Sequence, residues 1–462
     1  MSPQLSNLDG VVFFFIFACT LGAVAYGRRR LKKSHTTEDK FELLLMGRRI
    51  TLPLFIASLV ASWYGEISGA TAFTYEHGLY SFLTQSLVWY AVYIIFALVL
   101  IRRIPKNNAA TFPELVGNHL GERAHRITAV LTILSMLPIA SILSIGIFIH
   151  FLTGWTIFNS SAIGLLCIFS YSLSGGLRSV VFADVVQFIA MVSAVILVAV
   201  FAIIHYGSPA HLIPLLPENH LKLMGGKHFS EVFIWSFIAL STLVDPLFYQ
   251  RALAARDERQ AKMGILGATI VWFIFDCAAV LGALYARAYM PNLNSNESYL
   301  DFAMKILPTG FRGFILAGIF SAIVSSLDSH LFSASSMFSF DLLKKEKFSK
   351  RRLQFSMIGV GLVALFITPF FDNIAMVWKV MGSLSSACLL FPWLLMMVFP
   401  KYKNETRFLS SVAGGLVLMI AGAFVNYLNF TEIDGFYFGL LGSILGFWLS
   451  PKALPKDYSS TQ

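Results

Sequence analysis

The sequence predicts an all-α polytopic membrane protein, and three observations carry that prediction. Hydrophobic residues make up 56% of the 462 positions and charged residues 13%, with a mean hydropathy of +0.70, which is not a soluble composition. Apolar stretches of about 20 residues, the length that crosses a hydrocarbon core, recur thirteen times. The basic residues, finally, concentrate in alternate connections.

In order, the predicted spans cover 8–27, 51–74, 79–101, 127–153, 156–174, 180–205, 230–250, 263–286, 313–336, 353–371, 375–399, 408–428 and 434–450. At about 20 residues each they use roughly 260 positions, which leaves no room for a sizeable soluble domain. Runs this long also exclude a β-barrel, whose strands alternate in short segments. With the N-terminus outside, cytoplasmic segments hold 29 of the 35 Lys and Arg: eight in 28–49, five in 102–126, Arg178, four in 251–262, six in 344–352, three in 401–407 and two after 450. The positive-inside rule then predicts an N-out, C-in topology. The net charge of +10 is thereby explained without nucleic acid.

The first span has no positive residue before it and Arg28, Arg29 and Arg30 after it, so a retained helix is expected, not a cleaved signal. Cys19, Cys167, Cys277 and Cys388 lie in apolar spans without CxxC spacing, and neither a disulfide nor a metal cluster is expected. The second span is interrupted at Ala57-Ser58-Leu59-Val60-Ala61-Ser62-Trp63-Tyr64-Gly65-Glu66-Ile67-Ser68-Gly69, with two glycines and a carboxylate at membrane depth. Gln85 is a polar residue at membrane depth on the third span.

The sixth span opens with Tyr171, a Gly175-Gly176 turn, Arg178, and then Asp184 and Gln187 as an i, i+3 polar pair entering the membrane. In the seventh, Ser241-Thr242-Leu243-Val244-Asp245-Pro246 contains a proline that removes a backbone donor. The two interruptions lie five spans apart, and an odd offset reverses orientation. Two inverted five-helix repeats, 51–205 and 230–399, are therefore expected, with 8–27 leading and 408–450 trailing, in one transmembrane domain over 1–462. Asp276, on the eighth span, is expected to pair with a neighbouring helix.

The ninth span reads Ser321-Ala322-Ile323-Val324-Ser325-Ser326-Leu327-Asp328-Ser329. Residues 322, 325, 326 and 329 share one helix face, and hydroxyl and carbonyl oxygens suit a small hard cation. A serine stripe also serves plain helix packing. Asp328 shifts the balance, because a carboxylate at mid-membrane costs roughly 2.5–3.5 kcal/mol and needs a compensating partner.

These stretches together resemble the sodium:solute symporter family. Tyr171 to Gln187 is similar to its signature, with Ala183 where the family has Thr; Asp245 to Arg251 followed by Ala254-Ala255-Arg256-Asp257 resembles its Gln-Arg and Ala-Ala-Lys/Arg-Asp stretch; and Ala322 to Asp341 resembles its serine-rich helix. The resemblance implies a leucine-transporter-like core and a sodium site formed by the carbonyls of Ala57, Val60 and Ala322 and the hydroxyls of Ser325 and Ser326. It further implies a possible second sodium at Asp184, Ser325, Asp328 and Ser329, with a protonatable or paired Asp328 as the alternative.

The remaining polar groups at membrane depth are candidate substrate contacts: Glu66, Gln85, Ser241, Thr242, Asp245, Lys379 and Ser383, with Trp63 beside the first break to stack or gate. Glu66 and Asp245 set against Lys379 lean towards a zwitterion or carboxylate. The searched catalytic and phosphate-loop motifs (HExxH, GxSxG, GxxxxGK[ST]) do not occur, so the chain is not expected to be an enzyme or ATP-driven. The expected function is sodium-coupled import of a small organic solute, with Na+ as coupling ion and no organic cofactor. The alternatives are proton coupling on the same fold and a non-transporting sensor or scaffold. The expected setting is a lipid bilayer, in a bacterial inner membrane, with no required protein partner.

Overall fold

In hydrocarbon each backbone polar group must be satisfied within its own segment, so apolar runs of this length fold as helices. A computed structural model describes residues 5–33, 40–104, 109–173, 176–343, 349–428 and 434–450. Gly175 of the expected turn and the loop cations Lys106, Lys344, Lys345, Lys347, Lys452 and Lys456 lie outside the described residues.

The principal helices are α1 Asn7–Lys33, α2 Leu52–Ala61, α3 Ile67–His77, α4 Leu79–Arg103, α5 Phe112–Leu120, α6 Glu122–Thr153, α7 Ile157–Ser172 and α8 Gly176–Tyr206. There follow α9 Phe229–Leu240, α10 Pro246–Ala254, α11 Glu258–Tyr289, α12 Ser295–Ile306, α13 Phe311–Leu342, α14 Lys350–Ile367, α15 Ile374–Val398, α16 Glu405–Tyr427 and α17 Gly435–Leu449. Among the described residues, ten helical runs are long and apolar enough to cross a membrane, and α2, α7 and α17 are shorter apolar helices. The expected spans fall on these runs, except that 51–74 is divided between α2 and α3.

Both interruptions are real breaks. α2 ends at Ala61 and α3 begins at Ile67, so Ser62 to Glu66 run without regular helix. After α9 a 3₁₀ turn, Ser241–Val244, leads into extended Asp245, whose side chain caps α10 by accepting from the N–H groups of Leu247 (2.8 Å) and Phe248 (3.2 Å). Pro246 occupies the first turn of α10, where its missing N–H leaves no bond unmade.

The connections also hold helices that apolar counting passed over. α5 is capped by Thr111, which accepts from Glu114 N–H (3.2 Å), and α12 by Asn294. α4 contains a π-turn over Leu83–Leu87, a local widening that re-aims Gln85 and Ser86. Serine-rich α13 is largely buried, whereas α1 and α16 keep most of their apolar surface exposed, as lipid-facing helices do. α1 is fastened to α13 by Asp9, whose carboxylate accepts from the N–H groups of Gly310 (2.7 Å) and Gly313 (3.0 Å).

Candidate ion and substrate site

The first break meets α13 at Ser326. Its hydroxyl donates to the Ala61 carbonyl (3.3 Å) and accepts from Gly65 N–H (2.7 Å), so one helix end is satisfied by a side chain from another helix. Gly65 makes this approach possible: a Cβ there would lie 2.2 Å from Ser326 Cβ and 3.0 Å from the Ala322 carbonyl oxygen. Ala57, Val60, Ala322, Ser325 and Ser326 are all buried around this junction. The donor set is carbonyl and hydroxyl oxygen, which suits a hard monovalent cation. Ser325 donates its hydroxyl proton to Asp184 (2.5 Å), leaving its lone pairs available.

Three of the residues expected at a second sodium, Asp184, Ser325 and Ser329, lie in a cluster built around a guanidinium. Arg251, with 0% exposure, donates through Nε to Ser58 Oγ (3.1 Å), through Nη2 to Ser329 Oγ (3.1 Å) and through Nη1 to Gln250 Oε1 (2.9 Å); its Nη2 lies 3.9 Å from Asp184 Oδ2. Ser58 in turn donates to Asp184 (2.6 Å). Asp328 accepts a hydrogen bond from the Ser172 hydroxyl. The structure thus gathers Asp184, Ser325 and Ser329 around Arg251 and leaves Asp328 on a separate partner. Arg251 also corrects the topological count, for it is a buried member of this cluster and not one of the loop cations in 251–262.

Beside the junction lies a cavity of about 190 Å³. Of the expected substrate residues, Trp63, Glu66, Gln85, Ser241 and Asp245 line it. Thr242 and Ser383 do not; both hydroxyls are buried and without a partner among the described residues. Lys379 is also absent from the lining and pairs with Asp434 at 2.5 Å. Removing Lys379 from the cavity removes the cation on which the lean towards a carboxylate rested.

The cavity brings in groups that the sequence reading did not single out. His330 lies one turn beyond Ser326, and its Nδ1–H donates to the Ser326 carbonyl (2.9 Å) while the ring lines the cavity. The spacing from Ser326 to His330 is a readable i, i+4 signal, masked because the serines drew attention to 322, 325, 326 and 329. Asp276 does meet a neighbouring helix, accepting from the hydroxyls of Tyr64 and Tyr90. Glu66 accepts from Ser141 (2.6 Å). Trp63 packs edge-on against Phe248 at 5.1 Å, joining the two breaks, and Tyr93 stacks on the same ring at 5.3 Å. Trp63 thus packs and lines at once.

Two broken helices meeting beside an internal cavity define a secondary transporter, in which unwound backbone at membrane depth is tolerated because it lines a site. The comparisons make the class specific. The model of the Sodium:solute symporter family matches residues 44–415, and the chain belongs to that family. It is an integral membrane transporter and not an enzyme. The chain is 25% identical to the Bos taurus sodium/mannose cotransporter over 56% of its own length and 51% of the relative's, so it spans about half of that protein. It is 24% identical to the Drosophila melanogaster high-affinity choline transporter, over 90% of its own length and 71% of the relative's. A solved Na+-coupled sialic acid symporter in a substrate-bound outward-open state shares the fold, with a TM-score of 0.80, 15% identity and 96% of each chain covered.

Proposed function

We propose that this chain is a sodium-coupled symporter that imports a small organic solute by alternating access, with 51–205 and 230–399 acting as inverted repeats. One observation carries the reading: Ser326 fastens the break between α2 and α3 to α13, and His330 one turn further on lines the cavity beside it. A sodium ion held by Ala57, Val60, Ala322, Ser325 and Ser326 would tighten that junction next to the solute. Coupling requires sodium to prefer one conformation, since an ion with equal affinity for both shifts nothing. The relatives named for sodium cotransport, and the family itself, support the same ion.

One sodium per cycle is the stoichiometry this arrangement favours. Arg251 already supplies a fixed positive charge beside Asp184, where a second ion would otherwise sit. The solute contacts are Trp63, Glu66, Gln85, Ser241 and Asp245, together with His330; Thr242 and Ser383 stand behind that wall. The proposed setting is a bacterial inner membrane with the N-terminus outside.

The test is the thermal stability of the purified chain in NaCl and in KCl, since a ligand of the native state raises stability by mass action. Sodium is expected to raise the melting temperature. Ser325→Ala and Ser326→Ala should each weaken the apparent sodium affinity about tenfold or more, the loss of one good ligand being worth about 1.4 kcal/mol. Unchanged sodium-driven uptake in both variants would overturn the assignment.

A further inference from the structure

The charge around the cavity is one-sided. Glu66, Asp245 and Asp276 line it; His330 is the only basic side chain among the lining residues, and neither Lys nor Arg appears there. Even as an imidazolium, His330 would offset one carboxylate of three.

The three carboxylates differ in what already satisfies them. Both oxygens of Asp276 accept from tyrosine hydroxyls, so this group is internally paired. Glu66 uses Oε1 for Ser141 and Asp245 uses Oδ1 for the N–H groups of α10. His330 acts electrostatically on both carboxylates, and Arg251 acts on Asp245 as well. Glu66 and Asp245 are each only 8% exposed, and both line the cavity. A buried carboxylate is costly at membrane depth, and a cation bound in the cavity would offset part of that cost.

Aromatic side chains contribute to the lining, Trp63, Tyr93 and Trp378 among them. The negative face of such rings attracts a cation within about 6 Å of the centroid. The volume of about 190 Å³ lies below the roughly 300–1,000 Å³ of drug-sized sites, so the occupant is small. On the far side of Gly69, which is packed against Ile374 and Trp378, a second hollow is lined by Glu76, His77 and Asp372, again without Lys or Arg.

Resting on the symporter reading above, we infer that the solute is a small organic cation, an amine or quaternary ammonium compound whose positive centre sits between Glu66 and Asp245 against the aromatic wall. Sodium and solute then serve different groups: the ion joins the break to α13, and the ammonium offsets the charge of Glu66 and Asp245.

The experiment uses the full purified chain and reads melting temperature in NaCl against KCl, with three sets of probes. These are choline, ethanolamine and putrescine; the uncharged carbon isostere of choline, dimethylbutanol, with glucose; and the anion pantothenate. At least one ammonium probe is expected to stabilise the protein in NaCl, with little effect in KCl, and dimethylbutanol is expected not to. Glu66→Gln and Asp245→Asn keep the bonds to Ser141 and to the α10 cap, so both should retain the sodium shift while losing at least tenfold in affinity for the ammonium probe. Stabilisation by glucose or pantothenate, or no effect from any ammonium probe, overturns the cation assignment. Loss of the sodium shift in the unmodified chain would sink the symporter reading instead, so the two failures are distinguishable.

Discussion

At Gly65 a methyl group would lie 2.2 Å from the Cβ of Ser326, closer than side chains approach one another, so Gly65→Ala must push the break away from α13. This variant is expected to insert and fold but to lose the sodium-dependent rise in melting temperature. Arg251 is the second decisive residue. Replacing it with Met leaves Asp184 buried without its cation, which costs roughly 3–5 kcal/mol when a buried pair is broken on one side. The double variant Asp184→Asn with Arg251→Met should recover most of that loss in a detergent melt; no recovery would show that Arg251 acts through other partners. Lys379 provides the contrast. Its pair with Asp434 is partly exposed, so Asp434→Asn should change stability by no more than about 1 kcal/mol and leave uptake intact. The carboxylates and serines were legible as chemistry because charge and hydroxyl at membrane depth are rare. Arg251 was not, because a cation at the end of an apolar run looks the same in sequence whether it faces water or an aspartate.

Among the elements, both broken helices could be read from composition, since glycine, proline and acidic residues inside an apolar run oppose a continuous helix. The π-turn of α4 could not, because residues 83–87 are compatible with ordinary helix, and only packing imposes the wider turn that places Gln85 and Ser86 at the cavity. The joint between α1 and α13 was equally hidden. Gly313 permits it, for a Cβ there would sit 2.1 Å from the Asp9 carbonyl oxygen. Asp9→Ala removes the acceptor for two N–H groups at the start of α13 and should cost about 1 kcal/mol, as lost N-caps do, with faster hydrogen exchange confined to that end. Exchange that stays unchanged there would mean that water replaces the carboxylate at no cost.

For the whole molecule, the charge of the solute sets the energetics of transport. One sodium moving through about 100 mV and a tenfold gradient releases roughly 3.7 kcal/mol, which concentrates a neutral solute about 500-fold. A monovalent organic cation adds about 2.3 kcal/mol of its own from the membrane potential, raising the limit to roughly 20,000-fold. Simultaneous current and tracer measurements in proteoliposomes should therefore give about two charges per solute, one from sodium and one from the solute. A ratio near one would point to a neutral solute carried with one sodium.

Membrane residence, the helical class, the positions of the apolar runs and both breaks follow from residue chemistry alone, because hydrocarbon penalises every unpaired backbone and charged group wherever the chain later folds. Which polar residues meet was settled only by packing. Ser326 reaches Gly65 across 261 positions and Ser325 reaches Asp184 across 141, whereas Lys379 turns to Asp434. A side chain's partner depends on how helices cross and rotate, and that is a property of the whole assembly of close-packed surfaces, to which no single stretch of sequence has access.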